Sequence, residues 1–380
     1  MAVSHGGLRR LVYALAALGL VPWLIGVAGS FASWPWIGGL CLLWVIAARR
    51  VAGGLLDPQR SARVVRYLDA PSSALWASGV FAAVLLAPLA LWRGLQGALP
   101  GVQEVRSIVL VASAGAIWAV WGRRRWVRVR ETAVPIAGLP AAFDGYRIAH
   151  LSDIHLGSVD TAPTVERWVR RTNALGCDLV AVTGDLVSSG TRFYAVAARV
   201  LAQLAAPDGV FVVNGNHDLW DPDHWRRELE RRGLTVLMHE VRAVVRGGSA
   251  LFVVGLDCTR SAEETRRFLH DTSASRPQVM LSHYPTFFDG GHDNRPALTL
   301  SGHTHGGQIA LPWLDRWVNL TSVVGGHRSG LTREGPHYLY VSRGLGTTGV
   351  PLRLGAAPEI CVIRLCAMPL AEGLPERRPR

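Results

Sequence analysis

Several residue types are scarce in this chain, and each shortage narrows what the protein can be. Only 18% of the 380 residues are charged and 49% are hydrophobic, which excludes an intrinsically disordered chain. No lysine occurs, so arginine supplies all 40 basic residues. The five cysteines are odd in number and form no C-x-x-C pair, which argues against a disulfide framework and a thiolate zinc site.

Charge is missing altogether from the segment between Arg10 and Arg49. This stretch is long enough for two membrane-crossing helices, and its turn formers and tryptophans at 29–36 predict a helical hairpin. Two further uncharged runs, 70–92 and 107–122, predict a third and a fourth crossing. The last run is short, and the alternative is a buried helix of a soluble domain. Since no Asp, Glu, Lys, Arg or His lies inside these runs, an ion pathway is not indicated.

Arginine placement predicts the orientation of this four-helix transmembrane region, 1–130. Residues 1–130 hold 14 arginines against three acidic residues, whereas 131–380 hold 26 arginines against 25 acidic residues. The arginines concentrate before the first span, between the second and third, and after the fourth. The positive-inside rule therefore predicts a multi-pass inner (plasma) membrane protein with both termini, and the domain that follows, in the cytoplasm. Arg9-Arg10 also weakly resembles a twin-arginine export signal, which would reverse that side.

Beyond the apolar third, the pattern changes to short apolar runs that alternate with helical stretches, which is typical of an α/β fold. We predict a linker at 131–142, an α/β domain at 143–368 and a disordered tail at 369–380. The predicted strands of this domain are 147–151, 179–183, 210–213, 251–256, 278–281, 297–300, 338–342 and 359–365.

Polar clusters follow five of these apolar runs directly. They read Asp153-Ile154-His155, Gly184-Asp185, Gly215-Asn216-His217-Asp218, Ser282-His283 and Gly302-His303-Thr304-His305. Any one cluster means little, but five at successive strand ends predict one site, because an open α/β sheet presents its functional loops there. The donors are carboxylate, imidazole and amide without thiolate, which suits a hydrolytic site for Mn, Fe or Zn. Two such ions that share a carboxylate can clamp both oxygens of a displacement at phosphorus.

The ordered set D-x-H, G-D, G-N-H-D, H and G-H-T-H resembles the calcineurin-like metallophosphoesterase superfamily over roughly 143–366. The resemblance implies an α/β metallophosphoesterase domain, a two-sheet sandwich flanked by helices, with two divalent metal ions. It further implies that Asp153, His155, Asp185 and His305 hold one ion, and that Asp185, Asn216, His283 and His303 hold the other. His217 would contact phosphoryl oxygens or protonate the leaving group, and Asp218 would orient it.

One departure from that pattern concerns the residues after Gly184-Asp185. Many relatives have an acidic residue shortly after this pair, whereas this chain reads Leu186-Val187-Ser188-Ser189-Gly190, which affects contacts around the metals rather than the metals themselves. The runs 302–308 and 342–349 resemble a bacterial membrane-associated branch, which includes exported phosphoesterases and enzymes similar to UDP-2,3-diacylglucosamine pyrophosphatases. Arg343 in the second run is a candidate substrate-binding residue, although an ordinary strand-end arginine is the simpler reading.

Together these features predict a membrane-anchored dinuclear phosphoesterase that cleaves a phosphodiester or pyrophosphate bond. A lipid-linked or nucleotide-linked substrate is expected beside a membrane. The alternative is a catalytically inactive membrane receptor or interaction protein on the same fold, against which the full set of ligand positions argues. A nucleic-acid partner is not expected, since the region after residue 130 is nearly neutral.

Overall fold

The computed structural model describes residues 5–28, 34–54, 60–272, 277–285, 297–309, 327 and 329–368. The chain divides into a helical unit, Met1–Trp126 with Thr348–Leu354, and a sheet unit, Val127–Thr347 with Gly355–Arg380. The predicted tail at 369–380 and most of the predicted turn at 29–36 lie outside the described residues.

Over residues 5–28, 34–54 and 60–126, the helical unit contains four long α-helices and one short one. They are α1 (His5–Ala28), α2 (Trp34–Gly54), α3 (Ala62–Val64), α4 (Ala70–Leu95) and α5 (Val102–Ile117). Among the described residues, two continuous helical stretches are long and apolar enough to cross a membrane: Ala62–Leu95, which contains an 18-residue segment with a mean hydropathy of 2.1, and Val102–Arg125, which contains one with 1.6. The apolar part of α1, Arg10–Gly26, is shorter.

Small residues let α1 and α4 approach closely. A Cβ on Gly19 would lie 2.8 Å from the carbonyl carbon of Gly79, so neither position accepts a larger side chain without a shift. Trp44 of α2 lies against the same place, and its Nε1 donates a hydrogen bond to the Ala16 carbonyl over 2.7 Å. Contacts between small residues are the usual means by which apolar helices pack tightly where no hydrophobic driving force is available.

In the part of the chain that the structure describes, the sheet unit contains twelve strands in two mixed sheets. The strands are β1 (Arg128–Ala137), β2 (Arg147–Leu151), β3 (Leu179–Thr183), β4 (Val210–Val213), β5 (Thr235–Val236), β6 (Glu240–Arg246), β7 (Ser249–Gly255), β8 (Gln278–Leu281), β9 (Leu298–Ser301), β10 (Gly330–Glu334), β11 (His337–Val341) and β12 (Glu359–Met368). The first sheet has the order β1-β12-β2-β3-β4-β5 and the second has the order β10-β11-β9-β8-β7-β6. Strands β2 to β5 run parallel, as do β7, β8, β9 and β11.

The two largest cores of this unit lie between the sheets and beneath the helices that cover the first sheet. Alternate residues of β3 divide between them: Leu179 and Ala181 face the second sheet, whereas Val180 and Val182 face the helix-covered core. Strands buried on both faces read as continuous apolar runs, which explains their clear signal in the sequence. The helices of the unit are α6 (Ala162–Asn173), α7 (Tyr194–Leu201), α8 (Pro222–Glu230) and α9 (Ala262–Thr272). The architecture confirms the expected two-sheet α/β fold.

The predicted linker at 131–142 needs correction. Residues 128–137 form β1, which pairs in parallel with β12 along its whole length, so the sheet unit begins near Val127 rather than at 143. Val134 and Ile136 are buried in the core between the sheets. Pro135 does not disrupt the strand because β1 is the edge of its sheet, where a missing N–H is tolerated.

Candidate functional site

All of the candidate ligands lie in loops at the carboxyl ends of parallel strands. Asp153 and His155 follow β2, Asp185 follows β3, and Asn216 follows β4. In the second sheet, His283 follows β8, and His303 and His305 follow β9. Because the strands of each sheet run in parallel here, their ends meet at one edge, and the structure brings these side chains together.

The first group consists of Asp153, His155, Asp185 and His305, all buried. One ligand atom from each lies within 4.8 Å of all the others. Nε2 of His155 is 3.1 Å from Nε2 of His305 and 3.4 Å from Oδ2 of Asp185. Nε2 of His305 is in turn 3.4 Å from Oδ1 of Asp153.

The second group consists of Asp185, Asn216, His283 and His303. Nε2 of His283 is 3.1 Å from Oδ1 of Asn216, 3.2 Å from Nδ1 of His303 and 3.4 Å from Oδ2 of Asp185. Oδ2 of Asp185 is therefore equally distant from an imidazole of each group. This carboxylate lies between the two groups.

The donors and their spacing fit divalent metal ions. Nitrogen and oxygen ligands about 2.1 Å from one ion, at angles near 90–110°, lie roughly 3.0–3.4 Å from each other. The six closest contacts between ligand atoms given above, from 3.1 to 3.4 Å, match this range, and the Asp and His ligand atoms of each group lie within 4.8 Å of one another. Carboxylate, imidazole and amide donors without thiolate suit Mn, Fe or Zn in a hydrolytic site.

The backbone is strained at the ligands themselves. Asp153, His155, Asp185, His303 and His305 have φ values between 46° and 69°, in the left-handed region. Across the described chain only two other non-glycine residues, His239 and Gln308, have positive φ. Such conformations are unfavourable for residues with a Cβ and persist where the surrounding structure imposes them, often at functional sites.

Close packing beneath the ligands requires glycine at specific places. At Gly215, an added Cβ would collide with the carboxylate of Asp185, and at Gly302 it would collide with Ser152 and Asp153. A side chain at either position would displace a ligand carboxylate. The glycines in the G-N-H-D and G-H-T-H runs are thus explained by contact with the site.

Asp185 is almost completely buried and yet ionised. Burial alone would raise its pKa, but the imidazoles of His283, His155 and His217 hold the pKa of Asp185 well below its usual range. Its Oδ1 also accepts a hydrogen bond from the backbone N–H of His217 over 2.9 Å. The group therefore offers a charged carboxylate at neutral pH.

His217 is half-buried beside the first group, and its ring centroid lies 4.8 Å from that of His155. Nδ1 of His217 donates a hydrogen bond to the carbonyl oxygen of Ser188 over 2.6 Å. A carbonyl cannot donate, so Nδ1 must carry a proton and Nε2 is the atom left for a substrate. Ser188 lies in the stretch after Gly184-Asp185, where many relatives have an acidic residue, and it contacts His217 through its backbone carbonyl. No sequence pattern predicts this contact, because a carbonyl is present at every residue.

The expected role of Asp218 needs correction. Its side chain does not orient the His217 ring: Oδ1 accepts from the N–H groups of Leu186 and Val187, and Oδ2 accepts from that of Gly215. Burial and the nearby Asp185 charge raise the pKa of Asp218, while the N–H groups of Gly215 and Val187 oppose the shift. Asp218 therefore fixes the loops after β3 and β4, and acts on His217 only through them.

Arg343, the candidate substrate-binding residue, lies next to the first group. Its Cγ would be 2.9 Å from a Cβ on Gly306, directly after His305. Its Nε donates to Oγ of Ser329, and its backbone N–H donates to Oε1 of the buried Glu359 over 3.1 Å. Glu359, which sequence reasoning missed, also forms an ion pair with Arg130 and so fixes the start of the 343–349 loop.

The sequence is similar to known proteins over the range that contains this site. The family model described as calcineurin-like phosphoesterase matches residues 146–328, a range that contains every candidate metal ligand. The metallophosphoesterase YkuE of Bacillus subtilis is 30% identical over 67% of this chain and 91% of its own length. This chain belongs to the calcineurin-like phosphoesterases.

Two other relatives of this phosphoesterase are named as transmembrane proteins. The transmembrane protein with metallophosphoesterase domain of Bos taurus is 26% identical over 97% of this chain and 79% of its own length. The protein of the same name from Danio rerio is 29% identical over 68% of this chain, and the match spans 63% of that relative.

Proposed function

We propose that this phosphoesterase hydrolyses a phosphodiester or pyrophosphate bond with two divalent metal ions, of the Mn, Fe or Zn type. One observation carries the proposal: Oδ2 of Asp185 lies 3.4 Å from an imidazole nitrogen of each ligand group. A single buried carboxylate between two sets of nitrogen and oxygen donors could be shared by a pair of cations. Asp153, His155 and His305 complete one set, and Asn216, His283 and His303 complete the other.

A bound metal pair supplies a hydroxide nucleophile at neutral pH and neutralises charge on the phosphoryl oxygens. The residues of the chain bind and orient the substrate, and they transfer protons. In its imidazolium form, with both ring nitrogens protonated, His217 donates from Nε2 to a phosphoryl oxygen or gives that proton to the leaving oxygen, while Nδ1–H stays bonded to the Ser188 carbonyl and keeps the ring in one orientation. Arg343 binds a phosphate oxygen of the substrate.

We further propose that the helical unit anchors the enzyme as a multi-pass protein of the inner (plasma) membrane, with the sheet unit in the cytoplasm. Support comes from the two apolar helices, from the arginines at 123–130 that follow the second of them, and from relatives named as transmembrane proteins. A phosphate linked to a lipid or to a nucleotide is the expected substrate. Nucleic acid is not, because the chain after residue 130 is nearly neutral.

The test is metal-dependent hydrolysis by the full chain in detergent. We expect turnover of bis-p-nitrophenyl phosphate with Mn²⁺, none after chelation, and none in Asp185→Ala, which also loses bound metal. Asp223→Asn, at an exposed position of α8, is the matched control and should behave as the wild type. Undiminished turnover in Asp185→Ala would refute the dinuclear site. Lipid-linked and nucleotide-linked pyrophosphates, compared by kcat/KM in the same preparation, then decide the substrate class.

A further inference from the structure

Thr183, the last residue of β3, touches the second ligand group through its carbonyl oxygen. That oxygen accepts a hydrogen bond from Nδ1 of His283 over 2.9 Å and another from Oγ of Ser152 over 3.2 Å. Because the carbonyl only accepts, Nδ1 of His283 carries the proton and Nε2 is left to face Asp185 and Asn216. The position of this one carbonyl therefore sets both the tautomer and the direction of the His283 ring.

The side chain of Thr183 is held from the other direction by His150. Nε2 of His150 lies 2.8 Å from Oγ1 of Thr183, and both side chains are completely buried. His150 belongs to β2, the strand next to β3, and residues 148–151 pair with 179–182. His150 thus contacts the residue that contacts a metal ligand.

Burial of a histidine at position 150 costs free energy. Burial lowers its pKa to about 3, so the ring is neutral at physiological pH. Its Nδ1 has no hydrogen-bond partner among the residues that the structure describes. An apolar side chain would avoid this loss, since a buried polar atom without a partner costs free energy. Packing alone does not account for a histidine at this position, whereas the bond to Thr183 does.

We propose that His150 is a positioning residue of the metal centre, which fixes Thr183 and through its carbonyl orients His283 for the second metal ion. The inference rests on the proposed dinuclear site. It extends that site to a residue of β2 that contacts neither metal nor substrate. Partners of metal-bound histidines typically contribute 10-fold to 100-fold to metal affinity, which gives the scale of the expected effect.

The experiment is a titration of the chelator-treated full chain with Mn²⁺ alone, followed by calorimetry and by the electron paramagnetic resonance of free Mn²⁺. The wild type should bind two equivalents. His150→Leu should weaken one of the two sites by about 10-fold to 100-fold and leave the other unchanged. Thr183→Val removes Oγ1 but keeps the carbonyl, and should weaken the same site. Thr183→Ser keeps the hydroxyl and should restore wild-type affinity.

Two controls separate positioning from general destabilisation. Ile148→Ala lies on the same strand, is equally buried and leaves the hydrogen bonds intact, so its Mn²⁺ affinities should stay at the wild-type values. The double variant of His150→Leu and Thr183→Val should be no weaker than either single variant, because both remove the same bond.

The outcomes distinguish the two proposals. Fewer than two equivalents in the wild type would overturn the dinuclear site, and this inference with it. Two equivalents in the wild type with unchanged affinities in His150→Leu and Thr183→Val would overturn only the role of His150. A loss of Mn²⁺ affinity in Ile148→Ala equal to that in His150→Leu would also overturn only the role of His150.

Discussion

His217 is the residue whose proposed role can be separated from metal binding. Its Nδ1 is occupied by the Ser188 carbonyl, and its backbone N–H, rather than its ring, bonds to Asp185. We expect His217→Ala to retain both metal equivalents and to lower kcat by about 10²-fold to 10⁴-fold, the usual range for a lost general acid. Metal content and turnover of the same sample check this.

The matched control for that variant is His224→Ala, on α8, a helix that carries none of the candidate ligands, and it should keep wild-type turnover. A His217→Ala enzyme within tenfold of wild type would remove the residue from the mechanism. If metal is lost as well, the residue instead supports the first ligand group, where its ring lies against His155.

His150 also makes the stability of the chain depend on pH. Its folded pKa is about 3 against 6.5 for an ordinary histidine, so between these values the unfolded state binds the extra proton. Stability from this residue is complete above pH 6.5 and falls as the pH decreases toward 3. At pH 5 the loss amounts to about 2 kcal/mol, from 1.36 kcal/mol per pH unit.

We therefore expect the unfolding midpoint of the chelator-treated wild type to drop further between pH 7 and pH 5 than that of His150→Leu. Carboxylates elsewhere titrate in both proteins, and the difference between the two curves isolates this residue. Parallel curves would show that the His150 ring accepts a proton in the folded state.

At the scale of elements, the sequence predicted the strands that are buried on both faces and missed those at sheet edges. β2, β3 and β4 have the predicted bounds because each is a short, continuous apolar run. β6 and β10 are largely exposed and have no such run. β1 alternates arginine and valine at its start, a pattern that equally suits a charged segment after a membrane helix.

The candidate site was likewise predictable only in part. Its side chains follow the buried strands and are visible as polar clusters in the sequence. The contacts that orient them are backbone groups, such as the carbonyls of Thr183 and Ser188, or come from distant strands, such as Glu359 of β12. Only the fold brings these groups to the site.

β1 provides a test of the corrected boundary. Ile136 is buried between the sheets, whereas Ala137 beside it is exposed. We expect Ile136→Ala to lower the free energy of unfolding of the sheet unit by about 2–5 kcal/mol, because it leaves a cavity. Ala137→Ser should change it by less than about 0.5 kcal/mol. Denaturant titrations of both variants would be identical if 131–142 were a linker.

At the scale of the whole molecule, charge is distributed unevenly between the two parts of the chain. The first 130 residues hold 14 arginines and three acidic residues, and the remainder is almost neutral. Electrostatic attraction of the catalytic part to a polyanion is therefore weak. The excess charge lies near the ends of the apolar helices, where we expect it to set their orientation in a membrane.

The substrates that the enzyme can reach depend most on the side of the membrane on which the sheet unit lies. We expect a C-terminal green fluorescent protein fusion to fluoresce and a C-terminal alkaline phosphatase fusion to be inactive, because the arginines at 123–130 hold that end of the helix in the cytoplasm. Replacement of Arg123, Arg124 and Arg125 by glutamine should shift part of the population to the opposite result, whereas the same change at Arg226, Arg231 and Arg232 should not. An active phosphatase fusion on the unaltered chain would instead favour export through Arg9-Arg10 and an extracytoplasmic substrate.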